Sequence, residues 1–319
     1  MKNRIAAALG AATLAGAFTA PSAHAQDFPT RPITMLCWSE AGSPVDLFAR
    51  VMAKLMAKEL GQNVVVENRT GADGVIMVNQ MLKAPADGHT IAANTLTLTT
   101  IITEPAATFK LNELQMIARS QLDPYSLVVP ANSTFKSLRD FVDQARKQPN
   151  KVNVGGAFHM GAHRVAWEAF TGAAGLTTNW VAYKGGGPAL TAVAGAHVDA
   201  AATNPGNVKP FVTSGKVRVL AVSSEKRLSD FPDVPTYKES GWDVVRYQWR
   251  GVMTRAGTPQ PVVNRLVNAV QKAQQTDEWK AYLTQVTQLD GFMGPEGFLA
   301  QVRRDIDEMQ ATKKKLGIQ

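Results

Sequence analysis

The stretch that decides the fold is ITMLCWSEAGSPVD, residues 33–46, in which an apolar strand-like run passes through small residues into a helix start. Ser43 can cap that helix, Pro44 suits its first position, and Asp46 stands three residues after the cap. The pattern therefore predicts a helix that begins at Pro44. In this position Asp46 is typical of a capping carboxylate and not of a catalytic one.

The same arrangement recurs three more times, as VNVGGAFHMGAH at 152–163, VAYKGGGPAL at 181–190 and VDAAATNPGN at 198–207. Alternating strands and helices predict an α/β fold with parallel sheets and crossover helices. In open parallel sheets the helix N-termini gather at the carboxyl edge of the strands, where their unpaired N–H groups favour anions. Four such junctions predict an anion-binding edge.

The remaining elements follow the apolar runs of the sequence. Further strands are predicted at 64–67, 91–93, 126–129, 179–182 and 217–222, and helices at 44–60, 75–82, 138–147, 162–170, 188–194 and 205–214. The last third is predicted to be mostly helical, over 261–274, 278–285 and 295–316. Domain boundaries are expected in ordinary loops, at 121–125 and in LSDFPDVPTY at 228–237.

The N-terminus predicts export. Lys2 and Arg4 precede an apolar run at 5–20, and Ala23-His24-Ala25 offers the small residues that a signal peptidase recognises. We expect a signal peptide over residues 1–25, cleaved after Ala25, and a soluble periplasmic product. Its removal takes away two basic residues and no acid, so the formal charge falls from +8 to +6.

Charge and cysteine content exclude several classes of protein. The basic residues are scattered, apart from a run at 313–315, and none interleaves with aromatics as in a nucleic-acid groove. Cys37 is the single cysteine, so it cannot form an internal disulfide, and its apolar surroundings predict a buried, inert thiol. No P-loop, dinucleotide fingerprint or GxSxG elbow occurs, which argues against nucleotide cofactors and serine hydrolases.

His159 and His163 lie four residues apart, the spacing of a metal-binding helix. However, Met160 stands where a thermolysin-like site needs its glutamate, and a helix that begins near Gly161 leaves His159 in the preceding loop. Three interpretations remain open for this pair: a metal site, a pocket lining, or plain structural histidines. We expect no metal, no cofactor and no catalytic residue. The alternative function is an exported metal-dependent hydrolase that uses both histidines.

The chain resembles the periplasmic substrate-binding proteins of tripartite tricarboxylate transporters, the Bug family. The segments that carry the resemblance, in order, are RPITMLCWSEAGSPVDLFAR, VVVENRTGADGVIMVNQ, ADGHTIAANT, NWVAYKGGGPALTAVAGAHVDA, GKVRVLAVSSEKR, FPDVPTYKESG and QWRGVMTRAGTP. The resemblance implies a type II periplasmic binding protein fold, with two α/β lobes that close on a ligand. It further implies a lobe 1 of residues 26–123 and 241–319 and a lobe 2 of residues 124–240.

The family resemblance also implies a function and a site. Such receptors are not enzymes: they are expected to be monomers that hold a carboxylate in the interlobe cleft and deliver it to permease subunits in the membrane. Carried onto this sequence, the implied ligand-binding residues of the first lobe are Gly42, Ser43, Asp46, Asn94 and Thr95. Those of the second lobe are residues 157–164, which include Phe158, His159, Gly161 and Arg164, together with Lys184 and Asn204.

The sequence departs from the family pattern at Phe158-His159-Met160, where a small glycine- and serine-rich loop is usual, and at Arg164, which replaces a histidine. Bulk in place of space predicts a carboxylate with an apolar or aromatic body. In this hypothesis Phe158 and Met160 contact the body, Trp38 or Trp249 stacks on it, and Arg164 or His159 meets a carboxylate. The alternative is that Phe158 and Met160 turn into the lobe core.

Overall fold

The computed structural model describes residues 28–105 and 107–318, so the predicted signal peptide and its cleavage site lie outside the described residues. The strands are β1 Ile33–Cys37, β2 Val64–Asn68, β3 Thr90–Thr95, β4 Leu114–Pro124, β5 Ser126–Pro130, β6 Asn153–Ala157, β7 Asn179–Tyr183, β8 Ala200–Thr203, β9 Val217–Val222, β10 Tyr247–Arg255 and β11 Leu289–Met293. Within the described part of the chain, no helix combines the length and apolar character needed to cross a bilayer.

Ten α-helices are found in the described residues. They are α1 Pro44–Leu60, α2 Val75–Lys83, α3 Thr97–Ile102, α4 Leu138–Lys147, α5 Ala162–Ala174, α6 Gly186–Ala194, α7 Pro205–Thr213, α8 Gln260–Gln275, α9 Asp277–Gln285 and α10 Pro295–Leu316. Helix α1 begins as predicted, because the Ser43 hydroxyl accepts a hydrogen bond from the Asp46 amide at 3.2 Å.

Lobe 1 is built on a six-stranded sheet in the order β11-β4-β10-β3-β1-β2. Strands β1, β2 and β3 are parallel, whereas β10 returns from late in the chain and inserts antiparallel between β3 and β4. One face of the sheet packs against α1, α8 and α9, and the other face against α2, α3 and α10. Cys37 belongs to the first of these cores, and burial raises the pKa of its thiol, as expected for an inert cysteine.

Lobe 2 is built on a five-stranded sheet in the order β7-β6-β8-β5-β9. Strand β6 is parallel to β7 and β8, and β5 is antiparallel to β8 and β9. Helices α4 and α5 cover one face, and α6 and α7 cover the other. The two α/β lobes that the sequence predicts are therefore present, each with a core on both faces of its sheet.

The chain crosses between the lobes at Tyr125 and again between β9 and β10. The two crossings hold each other: the Tyr125 amide donates to the Ser223 hydroxyl and the Ser223 amide donates to the Tyr125 carbonyl, both at 2.8 Å. The loop expected at residues 121–125 is a wrong prediction, because residues 121–124 complete β4 and pair with β10. Strands β4, β10 and β11 and the short helix α3 were not predicted either.

Candidate functional site

Three helix starts of lobe 2 converge on one point. The ring nitrogen Nε2 of His163, in the first turn of α5, lies 2.9 Å from Oδ1 of Asn204, the residue that precedes α7. A side chain added at Gly186, the first residue of α6, would place its Cβ 3.8 Å from the same His163 nitrogen. No side chain caps α5, α6 or α7. We call these three starts, at His163, Gly186 and Asn204, the anion cradle, because their first-turn amides have no helical acceptor.

His163 is a neutral member of the cradle. Burial lowers its pKa to about 4, and the hydrogen bond with Asn204 offsets this only in part. The Asn204 amide group donates to the Pro124 carbonyl at 3.0 Å, so its Oδ1 must accept the proton carried on Nε2 of His163. The Tyr125 ring packs edge-on against the imidazole at 5.2 Å. The cradle is thereby tied to the crossing between the lobes.

The junction between β1 and α1 is organised by Asp46. Its buried carboxylate accepts hydrogen bonds from the Gly42 amide at 2.9 Å, from Arg50 at 2.8 Å and from Asn68 at 2.8 Å. Burial alone would raise the pKa of Asp46, but these bonds outweigh it and lower the pKa. Asp46 thus shapes the Gly42-Ser43 turn, in agreement with its interpretation as a capping carboxylate, and the Gly42 amide already has an acceptor.

Asn94, at the carboxyl end of β3, has a side-chain N–H group with no hydrogen-bond acceptor among the described residues. Its Oδ1 accepts from the Thr95 amide at 2.8 Å, and the Thr95 hydroxyl accepts from the Thr97 amide at 3.2 Å. The Asn94 side chain is 3% exposed, and its Nδ2 has no hydrogen-bond partner among the described residues. An unsatisfied buried donor costs about 1–3 kcal/mol, which a ligand oxygen would recover.

The loop between β6 and α5 holds Phe158 outside the lobe core. Phe158 has a positive φ of 59° and its side chain is 57% exposed. Its amide donates to the Tyr183 carbonyl at 2.7 Å, and its carbonyl accepts from Trp180 Nε1 at 2.9 Å. The alternative that Phe158 turns into the core is therefore wrong. His159 is likewise exposed and precedes the helix, so it does not share a helix face with His163.

Arg164 is already engaged within the protein. Its guanidinium forms a salt bridge of 2.7 Å with Glu168 and lies over the Trp180 ring at 5.1 Å. Glu168 also forms a salt bridge of 2.8 Å with Lys315 of lobe 1. Lys184, in contrast, is exposed and forms no salt bridge with any residue that the structure describes. The two lysines and the arginine therefore add no buried, unpaired cation to the cradle.

The two tryptophans predicted to stack on a ligand differ in position. Trp38 is half-buried and packs against both cores of lobe 1. Trp249 is fully buried, and its Nε1 donates to Asp305 at 2.8 Å. The stacking prediction for Trp249 is therefore wrong, because its ring is covered by the lobe core.

A buried polar cluster that sequence reasoning missed lies beneath the crossing strands. Arg250 donates to Gln288 at 2.7 Å, Gln288 donates to Asp123 at 2.8 Å, and Arg250 lies 3.5 Å from Asp123. Burial raises the pKa of Asp123 to about 6. The sequence contained one signal, namely charged residues inside otherwise apolar runs, but it does not reveal that they meet. Arg250 is therefore a structural residue of this buried cluster.

A cavity of about 450 Å³ lies between α3 and α10 of lobe 1 and α5 of lobe 2, beside the crossing strands. It is lined by Leu96, Thr99, Tyr125, Ala162, Val165, Ala166, Val245, Arg246, Tyr247, Gln301, Arg304, Asp305, Glu308 and Met309. Of the predicted ligand-binding residues only Ala162, within the 157–164 segment, lines it. Sequence reasoning missed it because its two acids, Asp305 and Glu308, come from α10, which the local pattern treats as an ordinary amphipathic helix.

Among residues 28–105 and 107–318, no group of three His, Cys, Asp or Glu side chains could hold a metal ion. The histidine pair at 159 and 163 is also divided, since one ring is exposed and the other is bonded to Asn204.

The chain matches the family described as "Tripartite tricarboxylate transporter family receptor", TctC, over residues 48–315. A Cupriavidus necator protein, "UPF0065 protein in gbd 5'region", is 30% identical over 98% of this chain and 96% of its own length. The Bordetella pertussis protein BugT is 32% identical over 83% of this chain and 84% of its own length.

Solved structures give the same answer. A TctC solute-binding protein from Polaromonas has a TM-score of 0.80 and 27% identity, covering 90% of this chain and 99% of that one. A Rhodopseudomonas palustris protein solved with adipate has a TM-score of 0.75 and 26% identity, covering 92% and 99%. MatC of the same organism, solved with bound malate, has a TM-score of 0.70 and 26% identity, covering 89% and 99%.

These matches confirm the predicted two-lobed periplasmic binding fold and the resemblance to the Bug proteins. They also decide against the alternative of a metal-dependent hydrolase, because the matched proteins are solute-binding receptors. The chain therefore belongs to the TctC family of tripartite tricarboxylate transporter receptors.

Proposed function

We propose that this protein is exported, loses residues 1–25 after Ala25, and captures a carboxylate in the periplasm between its two lobes. It then delivers that carboxylate to the permease subunits of a tripartite tricarboxylate-type transporter. The family membership and the two-lobed fold support this proposal. The residue bounds of the lobes, 26–123 with 241–319 and 124–240, and the monomeric state belong to the same proposal.

The single observation that carries the proposal is the convergence of uncapped helix starts in the anion cradle. Helix N-termini stabilise a negative charge through their free amides and the helix dipole, without any cationic side chain. The unpartnered amide donor of Asn94 adds a further donor from the first lobe. A carboxylate held from both lobes would stabilise their closed arrangement.

We further propose that the ligand has an apolar or aromatic body, with a carboxylate at one or both ends. Phe158 exposes 57% of its side chain beside the cradle, and Leu47 exposes 44% of its side chain in the first turn of α1. Relatives of about 26% identity were solved with malate and with adipate, which are both small dicarboxylates. Adipate, with its four-carbon chain, is the better match to an apolar surface.

Calorimetric titration of the purified protein tests the ligand class. The panel consists of citrate, malate, adipate, phthalate and benzoate, and we expect adipate or an aromatic acid to bind at least ten times more tightly than citrate, about 1.4 kcal/mol. A preference for citrate over every acid with an apolar body would overturn the ligand class. Absence of binding by any carboxylate, with the protein folded by circular dichroism, would overturn the receptor proposal itself.

Delivery to a permease requires a test in cells. A strain that lacks this protein should lose uptake of the radiolabelled acid that binds best in the panel, and the wild-type chain should restore it. An Asn94→Ala variant that is exported at the same level should restore uptake less well, because the Asn94 donor is lost. Equal uptake with and without the protein would contradict delivery.

A further inference from the structure

The cavity between α10, α3 and α5 has a wall that the proposed carboxylate site does not use. Its volume of about 450 Å³ lies within the range of about 300–1,000 Å³ typical of small-molecule sites. Asp305 and Glu308 are three residues apart on α10, so both carboxylates lie on the face of the helix that lines this cavity. Two tyrosines, Tyr125 and Tyr247, line it as well.

The acids retain binding capacity that the protein does not use. Asp305 accepts a hydrogen bond from Trp249 Nε1 at 2.8 Å but forms no salt bridge with a residue in the described part of the chain. Arg246 places both its Nε and its Nη2 on Oε1 of Glu308, at 3.1 and 2.7 Å. The second oxygen of Glu308 is left without a donor from residues 28–105 or 107–318.

The buried side chain of Tyr125 also lines the cavity. It is 4% exposed, it lines the cavity, and its buried hydroxyl has no hydrogen-bond partner among the described residues. A tyrosine hydroxyl can accept a hydrogen bond, and tyrosine rings attract cations. Of the two cations that line the cavity, Arg246 pairs with Glu308, whereas Arg304 is exposed and forms no salt bridge with a residue that the structure describes.

We propose that this cavity is a second ligand site, distinct from the anion cradle, and that it binds a small organic molecule through a primary ammonium group. The ammonium donates to Asp305 and to the free oxygen of Glu308, while the tyrosines cover the attached carbon chain. An ammonium group that leaves bulk water must be paired with opposite charge, and the two carboxylates supply that charge.

The state of Asp305 is consistent with a missing cation. Burial is the largest cause that raises the pKa of this carboxyl to about 6, and Glu308 adds to the effect, while Trp249, Arg304 and Gln301 offset it only in part. A bound ammonium would stabilise the ionised carboxylate, so protein and ligand would each reduce the other's desolvation cost.

Titration calorimetry with n-butylamine as the probe, at pH 7, tests the second site. We expect n-butylamine to bind, n-butanol and butyrate to bind at least about tenfold more weakly, and the double variant Asp305→Asn with Glu308→Gln to lose at least about tenfold in affinity. Asp307→Asn is the matched control, because it removes a charge from the exposed face of the same helix. It should leave the affinity for n-butylamine unchanged.

Arg304→Gln distinguishes a site for cations from a site for anions. Removing a positive charge from the cavity should leave n-butylamine affinity the same or raise it, whereas a site for anions would become weaker. The proposal is overturned if n-butanol binds as tightly as n-butylamine, if Asp307→Asn weakens binding as much as the double variant, or if the best acid of the carboxylate panel displaces the amine.

Two further measurements locate the bound amine and separate the two sites. A crystal of the wild-type protein soaked in n-butylamine should show the amine between Asp305 and Glu308, and its appearance elsewhere counts against the proposal. Titration of the same variants with the carboxylate panel separates the two sites. Loss of carboxylate binding alone affects the proposed function, and loss of amine binding alone affects this second site.

Discussion

Gly186 and Gly187 are adjacent residues of α6 with very different surroundings. A Cβ on Gly186 would lie 2.8 Å from the hydroxyl of the fully buried Thr203, whereas a Cβ on Gly187 would meet no atom within 4 Å. Gly186→Ala must therefore shift the start of α6, and with it the cradle amides. We expect it to weaken binding of the best acid of the panel about tenfold, or ~1.4 kcal/mol, by calorimetry.

Gly187→Ala is the matched control in the same helix. It should leave affinity unchanged and stabilise the protein slightly, by up to about 1 kcal/mol, because alanine has the higher helix propensity. Equal affinities for the two variants would mean that the start of α6 does not hold the anion.

His163 gives the molecule a specific pH dependence. Its folded pKa of about 4 lies below the value of about 6.5 for a free histidine, so below pH 6.5 the unfolded chain takes up a proton that the folded chain does not. Stability from this group is complete above about pH 7 and is lost as the pH falls towards 4. His163→Gln keeps a donor for Asn204 and does not titrate.

We therefore expect the free energy of unfolding of the wild type, relative to that of His163→Gln, to fall by about 2–3 kcal/mol between pH 7 and pH 4. Urea unfolding of both proteins at a series of pH values measures this difference, in which all other titrating groups cancel. A constant difference across the series would show that folding leaves the pKa of His163 unchanged, and would contradict the prediction.

At the scale of residues, local chemistry was predictable and tertiary partners were not. Ser43, Pro44 and Asp46 lie next to one another in sequence, so their capping arrangement could be inferred. Arg164 was assigned to the ligand by resemblance, but its partners Glu168 and Trp180 become neighbours only through folding. A single sequence does not reveal which basic side chain forms a salt bridge within the folded protein.

At the scale of elements, helices were easier to predict than strands. Helices α1, α4 and α10 have the bounds that the sequence predicts, because each carries its own period and its own start signal. Strands β4, β10 and β11 were missed because they are defined by pairing with one another over long distances in the sequence. In β10, Arg250 and Gly251 interrupt the apolar run, which hides the strand.

Glu168 of α5 forms a salt bridge with Lys315 of α10 at 2.8 Å, which links the two lobes. It also forms a salt bridge with Arg164 of its own helix at 2.7 Å. Glu168→Gln leaves the half-buried Arg164 guanidinium without its counter-charge, so we expect a loss of about 1–3 kcal/mol in the free energy of unfolding. Lys315 is exposed, and Lys315→Ala should cost less than about 1 kcal/mol.

Urea unfolding measures both variants, and Lys314→Ala is the control on the same turn of α10. The expected order of destabilisation is Glu168→Gln, then Lys315→Ala, then Lys314→Ala. A larger effect for Lys315→Ala than for Glu168→Gln would mean that the link between the lobes, and not the balance of charge around Arg164, is the stabilising interaction.

At the scale of the whole molecule, the ligand should stabilise the folded protein. A ligand at 100 times its Kd adds about 2.7 kcal/mol to the free energy of unfolding. For a chain of this size, that corresponds to a rise in Tm of about 4–5 °C. Differential scanning calorimetry with the best acid of the panel measures the rise.

The same acid should also reduce the radius of gyration in small-angle X-ray scattering, because hinge closure brings the lobes together. Gly186→Ala should need about ten times more acid for either effect. A rise in Tm without any change in the radius of gyration would indicate binding to lobes that are already closed.

The late return of β10 to the first sheet has a consequence for how the protein is made. The second sheet is complete once Val222 has been synthesised, but the first sheet lacks a strand between β3 and β4 until Arg255 follows. The C-terminal module of a nascent chain usually matures last, yet here the middle of the polypeptide can fold before its beginning. A truncated product would therefore be released with one competent half and one open, association-prone sheet edge.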